Sequence, residues 1–288
     1  MRLIHRLNLL AWYTRLPLKW CIFLCTLLAV CFPYPRALLR HLSHLRNPQR
    51  LIDPDAPELT PLADQLAPTL GQDIPPKDKI RRIEQLVLQR VQYAWDWDTW
   101  GLADYWPTVS EALQAGREDC DGRAIVAASL MRKLGLHAEL VTDFSHLWVR
   151  TEFGDAMGPG RTTLVTTTAS GPRINWTWRM LTEPLRATGL GIAVFPLARE
   201  AILLAVLWIL IWGPRASPLD RLLGLRCLVV ALVLLRVGGA TYAHPIEWMQ
   251  LVGVAYLFAA LVVLHGRDRK TPAAAPNPRS PGESGVSA

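Results

Sequence analysis

Two kinds of hydrophobic pattern divide the chain. Four stretches are apolar nearly without break: residues 20–32 ("WCIFLCTLLAVCF", extended back to Leu16), 196–213, 222–240 and 246–264. Crossing about 30 Å of hydrocarbon takes about 20 residues in a helix, so each is expected to span a membrane. The first is barely long enough, and 246–264 is the cleanest. The span at 196–213 requires Arg199 and Glu200 to sit at the interface and snorkel, and 222–240 makes the same demand of Arg226 and Arg236. Three such segments in the last third of the chain argue against buried helices of a soluble core.

Residues 33–195 carry periodic patterns instead. Apolar residues at 80, 83, 86, 87 and 91 mark one face of a helix over 77–93, with Pro75 and Pro76 at its start. Residues 107–115 read as a short helix with Pro107 in the first turn and Gly116 after the last. Residues 121–134 read as a longer helix stopped by Gly135. Segments 136–142, 146–151 and 162–168, rich in Val, Thr and Trp, read as strands. Helices followed by strands, with no internal repeat, predict an α+β domain.

Composition fits this division. The 288 residues are 51% hydrophobic, and the mean hydropathy is +0.18. Residues 33–195 hold 18 Lys and Arg against 19 Asp and Glu; of the 31 and 24 in the whole chain, the rest keeps 13 and 5. The basic excess therefore belongs to membrane flanks and gives no sign of nucleic acid as a partner. Arg2, Arg6, Arg15 and Lys19 precede the first span, Arg215, Arg221 and Arg226 surround the second connection, and Arg267, Arg269 and Lys270 follow the last span. The third connection has neither Lys nor Arg. Positive charge stays inside, which puts both termini in the cytoplasm and residues 33–195 outside it. Arg36, Arg40, Arg46 and Arg50 run against this, although long translocated segments are largely exempt. The first span also has the form of a cleaved signal peptide, and "LLAVC" approaches a lipoprotein box except that Val30 occupies a small-residue place. The expected organisation is 1–32, cytoplasmic tail and first span; 33–195, outward domain; 196–266, three spans; and 267–288, a disordered cytoplasmic tail rich in Pro, Gly, Ser and Ala.

Cysteine placement adds chemistry. Cys21, Cys25 and Cys31 lie in or beside the first span and Cys227 in the third, so Cys120 is alone in the outward domain, without a disulfide partner. It heads the helix in "REDCDGRAIVAASLMRKLGLH", nine residues ahead of "HLWVRTEFG". Ala124, Ala127, Ala128, Met131 and Leu134 share its side of the helix, the side expected to be buried, where small alanines let a strand approach. Cys120 and His146 are thus either a nucleophile and its base or two unrelated core residues. A helix N-terminus and a nearby imidazolium favour a thiolate, while Glu118, Asp119 and Asp121 oppose it. If the pair is real, the thiol is expected to titrate below the ordinary value.

The segment "WGLADYWPTVSEALQAGREDCDGRAIVAASLMRKLG", followed by "HLWV", resembles the nucleophile region of transglutaminase-like cysteine hydrolases, over roughly residues 77–170. Its "WG-x-x-DYW" lead-in is most similar to the bacterial transglutaminase-like cysteine proteinases. The resemblance implies a papain-like α+β fold, Cys120 as nucleophile, His146 as general base, and no required cofactor. The third residue of the family's triad, an acid on the strand beside the histidine, has no counterpart. A tight turn at Phe153-Gly154 brings residues 159–161 beside His146, a longer loop brings 166–168, and neither window holds a carboxylate. Asp155 falls at the hairpin tip and Asp143 before the motif, so a threonine hydroxyl or a backbone carbonyl is left to orient the ring. Asp119 and Asp121 match carboxylates that bind Ca²⁺ in some bacterial members; the alternative is that they face solvent and pair with Arg117 and Arg123. Trp95, Trp97, Trp100 and Trp106 either wall a substrate cleft, Trp106 with a role toward the oxyanion, or pad the domain against lipid headgroups. Together these readings predict a multi-pass protein of a bacterial inner membrane with about four transmembrane helices, one before the domain and three after. Its partners are the lipid bilayer and a peptide or protein substrate, and its activity is that of a peptidase or amidase. The alternative is a degenerate module that only binds.

Overall fold

The computed structural model describes residues 7, 10, 12–71, 73–142, 146–158, 165–168, 171–174, 183–211, 217–240 and 247–266. The tail at 267–288 and Asp143 lie outside the described residues.

Helix α1 (Trp12–Cys31) is followed after three residues by α2 (Pro35–Arg46), and two 3₁₀ turns then lead into α3 (Thr60–Leu66). Helix α4 (Pro76–Arg90) buries Ile80, Ile83, Leu86 and Val87, the predicted stripe, with Val91 just beyond its end. It stops before the predicted 93 because Gln92 and Tyr93 form β1, which pairs in parallel with β2 (Arg117–Glu118). Between these strands lie α5 (Asp96–Thr99) and α6 (Val109–Ala115). Helix α6 starts later than predicted because Thr108 caps it: its hydroxyl accepts from Glu111 N, and the Glu111 side chain returns to Thr108 N. Gly116 closes the helix at φ 65°, a conformation that suits glycine.

Helix α7 (Cys120–Lys133) is the centre of the domain. Asp119 caps it by accepting from Asp121 N at 2.9 Å. Every residue from 124 to 131 is buried, so the expected single buried face gives way to burial all round. Helices α4 and α6 and the 3₁₀ turn Pro57–Leu59 cover one side, and β3 (Glu139–Thr142) and β4 (Leu147–Thr151) the other. Even Ser129, expected off the buried face, is enclosed; its hydroxyl donates to Ile125 O and accepts from Asp53 N. Gly122 leaves room for Glu118, since a Cβ there would stand 2.5 Å from Glu118 Cγ.

The main sheet is antiparallel in the order β5-β4-β3-β6-β7, with β5 (Gly154–Ala156), β6 (Val165–Thr168) and β7 (Gly171–Ile174). Strand β3 meets β4 with Thr142 opposite Leu147, and β4 meets β5 with Thr151 opposite Gly154. This is the tight turn of the two alternatives. Residues 159–161, which that turn was expected to bring beside His146, lie outside the described residues. Leu147 and Val149 join the core around α7.

The apolar helices are α1, α8 (Glu183–Val194), α9 (Leu197–Ile211), α10 (Pro218–Gly239) and α11 (Glu247–Gly266). Among the described residues, α1 over Tyr13–Cys31 and α10 are each long and apolar enough to cross a membrane. Helices α8 and α9 form a pair bent by 111° that would count as a third crossing if continuous, and α11 is apolar but shorter over its described part. Residues 183–194, grouped by charge with the outward domain, pack on α10 and α11, where a Cβ on Gly239 would collide with the Gly189 main chain and one on Gly189 with the Gln250 side chain. Arg199 and Glu200 do not snorkel free as expected, because protein groups satisfy them. Arg199 Nη1 donates to Val30 O (3.1 Å) and Gly101 O (2.8 Å), with its guanidinium over the Trp97 ring, and Glu200 pairs with Arg236 at 2.9 Å.

Gly122→Ala is expected to destabilise the protein by about 1–3 kcal/mol, the usual cost of overpacking, because Glu118 is enclosed and cannot retreat. Gly71→Ala, with nothing within 4 Å of the added carbon, is expected to be nearly neutral. Thermal unfolding of the two detergent-solubilised variants checks the contrast.

Candidate active site

The cap at Asp119 and the burial of α7 fix Cys120 at the head of the central helix. Its Sγ donates to Asp121 Oδ1 at 3.3 Å and lies against the backbone N–H of Leu147, the first residue of β4. His146 is the residue before it. The fold therefore brings the two sequence-predicted residues to adjoining positions. The imidazole, however, is turned to the main chain: Nε2 stands 2.8 Å from Met157 O, and the ring stacks on Trp148 at 6.2 Å between centroids. A carbonyl only accepts, so Nε2 carries the proton and Nδ1 is the basic nitrogen.

Met157 is well placed for this. It is the one non-glycine described residue with positive φ (57°), and its N–H is anchored to Glu84 Oε1 of α4 at 2.8 Å. A backbone carbonyl, one of the two acceptors left open for the ring by the sequence, thus meets Nε2 among the described residues. Asp155 is not idle at a hairpin tip. On β5 it accepts from Trp148 Nε1 (3.0 Å) and Arg150 Nε (3.2 Å), and so steadies the ring that His146 stacks on. His137 is exposed and 3.9 Å from Glu139.

Of the acids around Cys120, Glu118 and Asp121 are buried, which sets aside the solvent-facing alternative for Asp121, while Asp119 is half-buried and feels the charge of Arg123. Arg117 instead donates to Asp98 O, and Arg123 donates to Val91 O while lying over Tyr93. Glu118 is 0% exposed and Asp96 4%, and Asp121 is also buried. Trp100 Nε1 donates to Glu118 Oε1 (2.6 Å), and Tyr105 N to Asp96 Oδ2 (2.6 Å). Burial pushes the Asp96 carboxyl up to about 11, Glu118 to about 8 and Asp119 to about 7, with neighbouring carboxylates adding to each shift. Burial first, and then Asp121 and Asp119, also raise the Cys120 thiol well above its ordinary value. The expected depression of that pKa is thus reversed: the helix terminus is outweighed by enclosure among acids.

Oxygens of Asp96, Glu118 and Asp119 lie within 4.8 Å of one another, and Asp96 Oδ1 and Glu118 Oε2 are buried without a hydrogen-bond partner. This all-oxygen donor set fits a hard cation such as Ca²⁺. It shares Asp119 with the pair suggested by sequence, but Asp96 comes from the tryptophan run, where nothing local marks it as a member of the site.

That run is divided between tasks. Trp100 holds Glu118, and Trp106 is buried against His41 with its N–H facing Asp104 and Asp121 short of hydrogen-bond geometry. Trp97 packs on Phe195 and Arg199 and so docks the domain on the apolar helices, while Trp95 meets Tyr93.

A cysteine thus heads a buried central helix that packs on a strand preceded by a histidine. Residues 64–158 match the family model of the transglutaminase-like superfamily. The chain thus carries a transglutaminase-like domain whose matched part includes Cys120, His146 and every acid of the cluster. The match stops short of all the apolar helices. No curated protein and no solved structure matches the chain.

Because only the thiolate alkylates readily, Cys120 is expected to react more slowly than a free thiol at pH 7 and to accelerate at higher pH than an ordinary cysteine does. Asp121→Asn, which removes a buried acid beside the thiol while leaving an amide oxygen able to accept its proton, is expected to shift that midpoint downward. Iodoacetamide labelling of Cys120 across pH, read by peptide mass spectrometry, measures both. A midpoint near the usual 8.5 in both proteins would contradict this electrostatic picture.

Proposed function

We propose that this chain is a membrane-anchored cysteine hydrolase, a peptidase or amidase, whose transglutaminase-like domain works at the outer face of a bacterial inner membrane. The observation that carries the reading is the juxtaposition of Cys120, at the N-terminus of α7, with the start of β4, next to a histidine whose Nε2 is held by Met157 O. In the reaction, the Cys120 proton passes to His146 Nδ1 and the sulfur attacks the amide carbonyl carbon. The C–N bond breaks as the imidazolium returns the proton to the leaving amine, and water then hydrolyses the thioester. The positive end of α7 faces the developing oxyanion. Water is the default acceptor at an outward-facing site, which favours hydrolysis over crosslinking.

The raised thiol pKa makes the resting site a protonated one, so activity needs an added positive influence. Asp96, Glu118 and Asp119 would hold a calcium-type ion, whose charge would offset the carboxylates beside the thiol. The second reading, a degenerate module that binds a peptide or protein partner, is favoured by the same raised pKa and by a carbonyl rather than a carboxylate behind His146.

Purified full-length protein is expected to cleave a peptide-amide library. Cys120→Ala should abolish turnover, and His146→Ala should lower it by about 10²-fold or more, the usual contribution of a general base. With calcium, Cys120 alkylation near neutral pH should rise, and Asp96→Asn should remove that rise. Turnover unchanged by Cys120→Ala would sink the hydrolase, while a folded domain that captures peptides without cleaving them would favour the binding module.

Orientation is tested separately. The charge pattern, with three apolar segments read after the domain, supports termini inside. A reporter active only outside the cytoplasm should be active when fused after Ser170 and silent after Lys270. The reverse result overturns the outward assignment.

A further inference from the structure

Helix α2 is built the wrong way round for the surface of a soluble domain. Its polar side faces the protein: Arg40 Nη1 bonds Glu111 (2.8 Å), His44 Nδ1 meets Trp106 O (3.2 Å), and His41 is buried between Phe32 and Trp106. Its leucines face away, with Leu39 67% exposed, Leu42 47% and Leu45 44%, and Tyr34 just before the helix is 66% exposed. An ordinary amphipathic surface helix shows the opposite arrangement.

Two observations say what covers this face. The first is continuity with the span. Helix α2 begins three residues after α1 ends, and the His41 ring touches Phe32, the residue immediately beyond α1. The exposed leucines of α2 therefore follow closely along the chain on the apolar surface that α1 presents through Leu24 and Leu28. The second is charge. Arg36, Arg46 and Arg50 are exposed along the segment, and residues 33–52 contain no acid at all. An apolar stripe flanked by arginines suits the headgroup region of an anionic bilayer.

We propose that α2 is an interfacial helix, with Tyr34, Leu39, Leu42 and Leu45 inserted at the acyl boundary and Arg36, Arg46 and Arg50 on the phosphates of anionic lipid. The opposite face, through Arg40 and His44, grips Glu111 and Trp106 in the segment leading to Cys120, so insertion seats the active-site domain at a fixed height on the membrane. This rests on the reading of α1 as a span.

The test is site-specific incorporation of a diazirine amino acid at Leu42, at Leu24 on α1 and at the comparably exposed Leu88 on α4. The full chain is reconstituted in phosphatidylcholine vesicles with and without phosphatidylglycerol, and adducts are read by mass spectrometry. Lipid adducts are expected at 24 and 42 and not at 88. Those at 42 should be enriched several-fold in phosphatidylglycerol, and the enrichment should be lost in Arg36→Gln/Arg46→Gln. Adducts at 24 but not at 42 overturn the proposal, as do adducts at 42 to a second copy of the chain. Absence of lipid at 24 removes the span itself, and the proposal with it. Labelling at 42 indifferent to anionic lipid overturns the role given to the arginines.

Discussion

The domain depends on the complete enclosure of α7. A helix walled on every side can be packed only with small or well-fitted residues, and Ala124, Ala127 and Ala128 let β4 approach while Gly122 admits Glu118. Enclosure extends to the head of the helix, so Cys120 and its acidic neighbours share a site short of water. The unusual electrostatics there follow from packing: loss of solvent raises the pKa of the carboxyls and of the thiol together. A reactive cysteine would ordinarily be expected in an electropositive setting. Here the fold supplies the opposite, a half-buried thiol set among acids.

Charges in the apolar helices serve as ties. Arg199 reaches the end of α1 and the loop at Gly101, and its guanidinium lies on Trp97 from the run that also supplies Trp100 to Glu118. Arg236 holds Glu200 and also Phe195 O at the bend between α8 and α9. Such groups are costly in hydrocarbon unless satisfied by protein. Their satisfaction joins the apolar helices to the segment carrying Asp96.

Much of this was legible from local pattern. The stripe on α4, the stops at Gly116 and Gly135, the tight turn into β5 and the pairing of Cys120 with the His146 region all follow from periodicity, glycine chemistry and one family resemblance. Other features depend on contacts distant in sequence. The acids of "REDCD" look solvated because charge usually is, and only the cover of Trp100, Tyr105 and Trp106 makes them buried. Residues 183–194 carry too little apolar length to declare their allegiance to α10 and α11. The leucines of α2 have a clear period, but a period does not say which side the protein occupies.

The acceptor behind His146 is a carbonyl of the main chain, held in place by the left-handed turn at Met157 and by its N–H to Glu84. A carboxylate in that role could be erased by one substitution and recognised by one letter. A carbonyl can be neither erased nor recognised in that way, because every amino acid carries it. The tautomer of the base is therefore encoded in the path of a strand and the acid that pins it. Residue 157 could be exchanged for any residue that accepts a left-handed backbone and still offer the carbonyl, while a change at Glu84, on a helix remote from the cysteine in sequence, would loosen it.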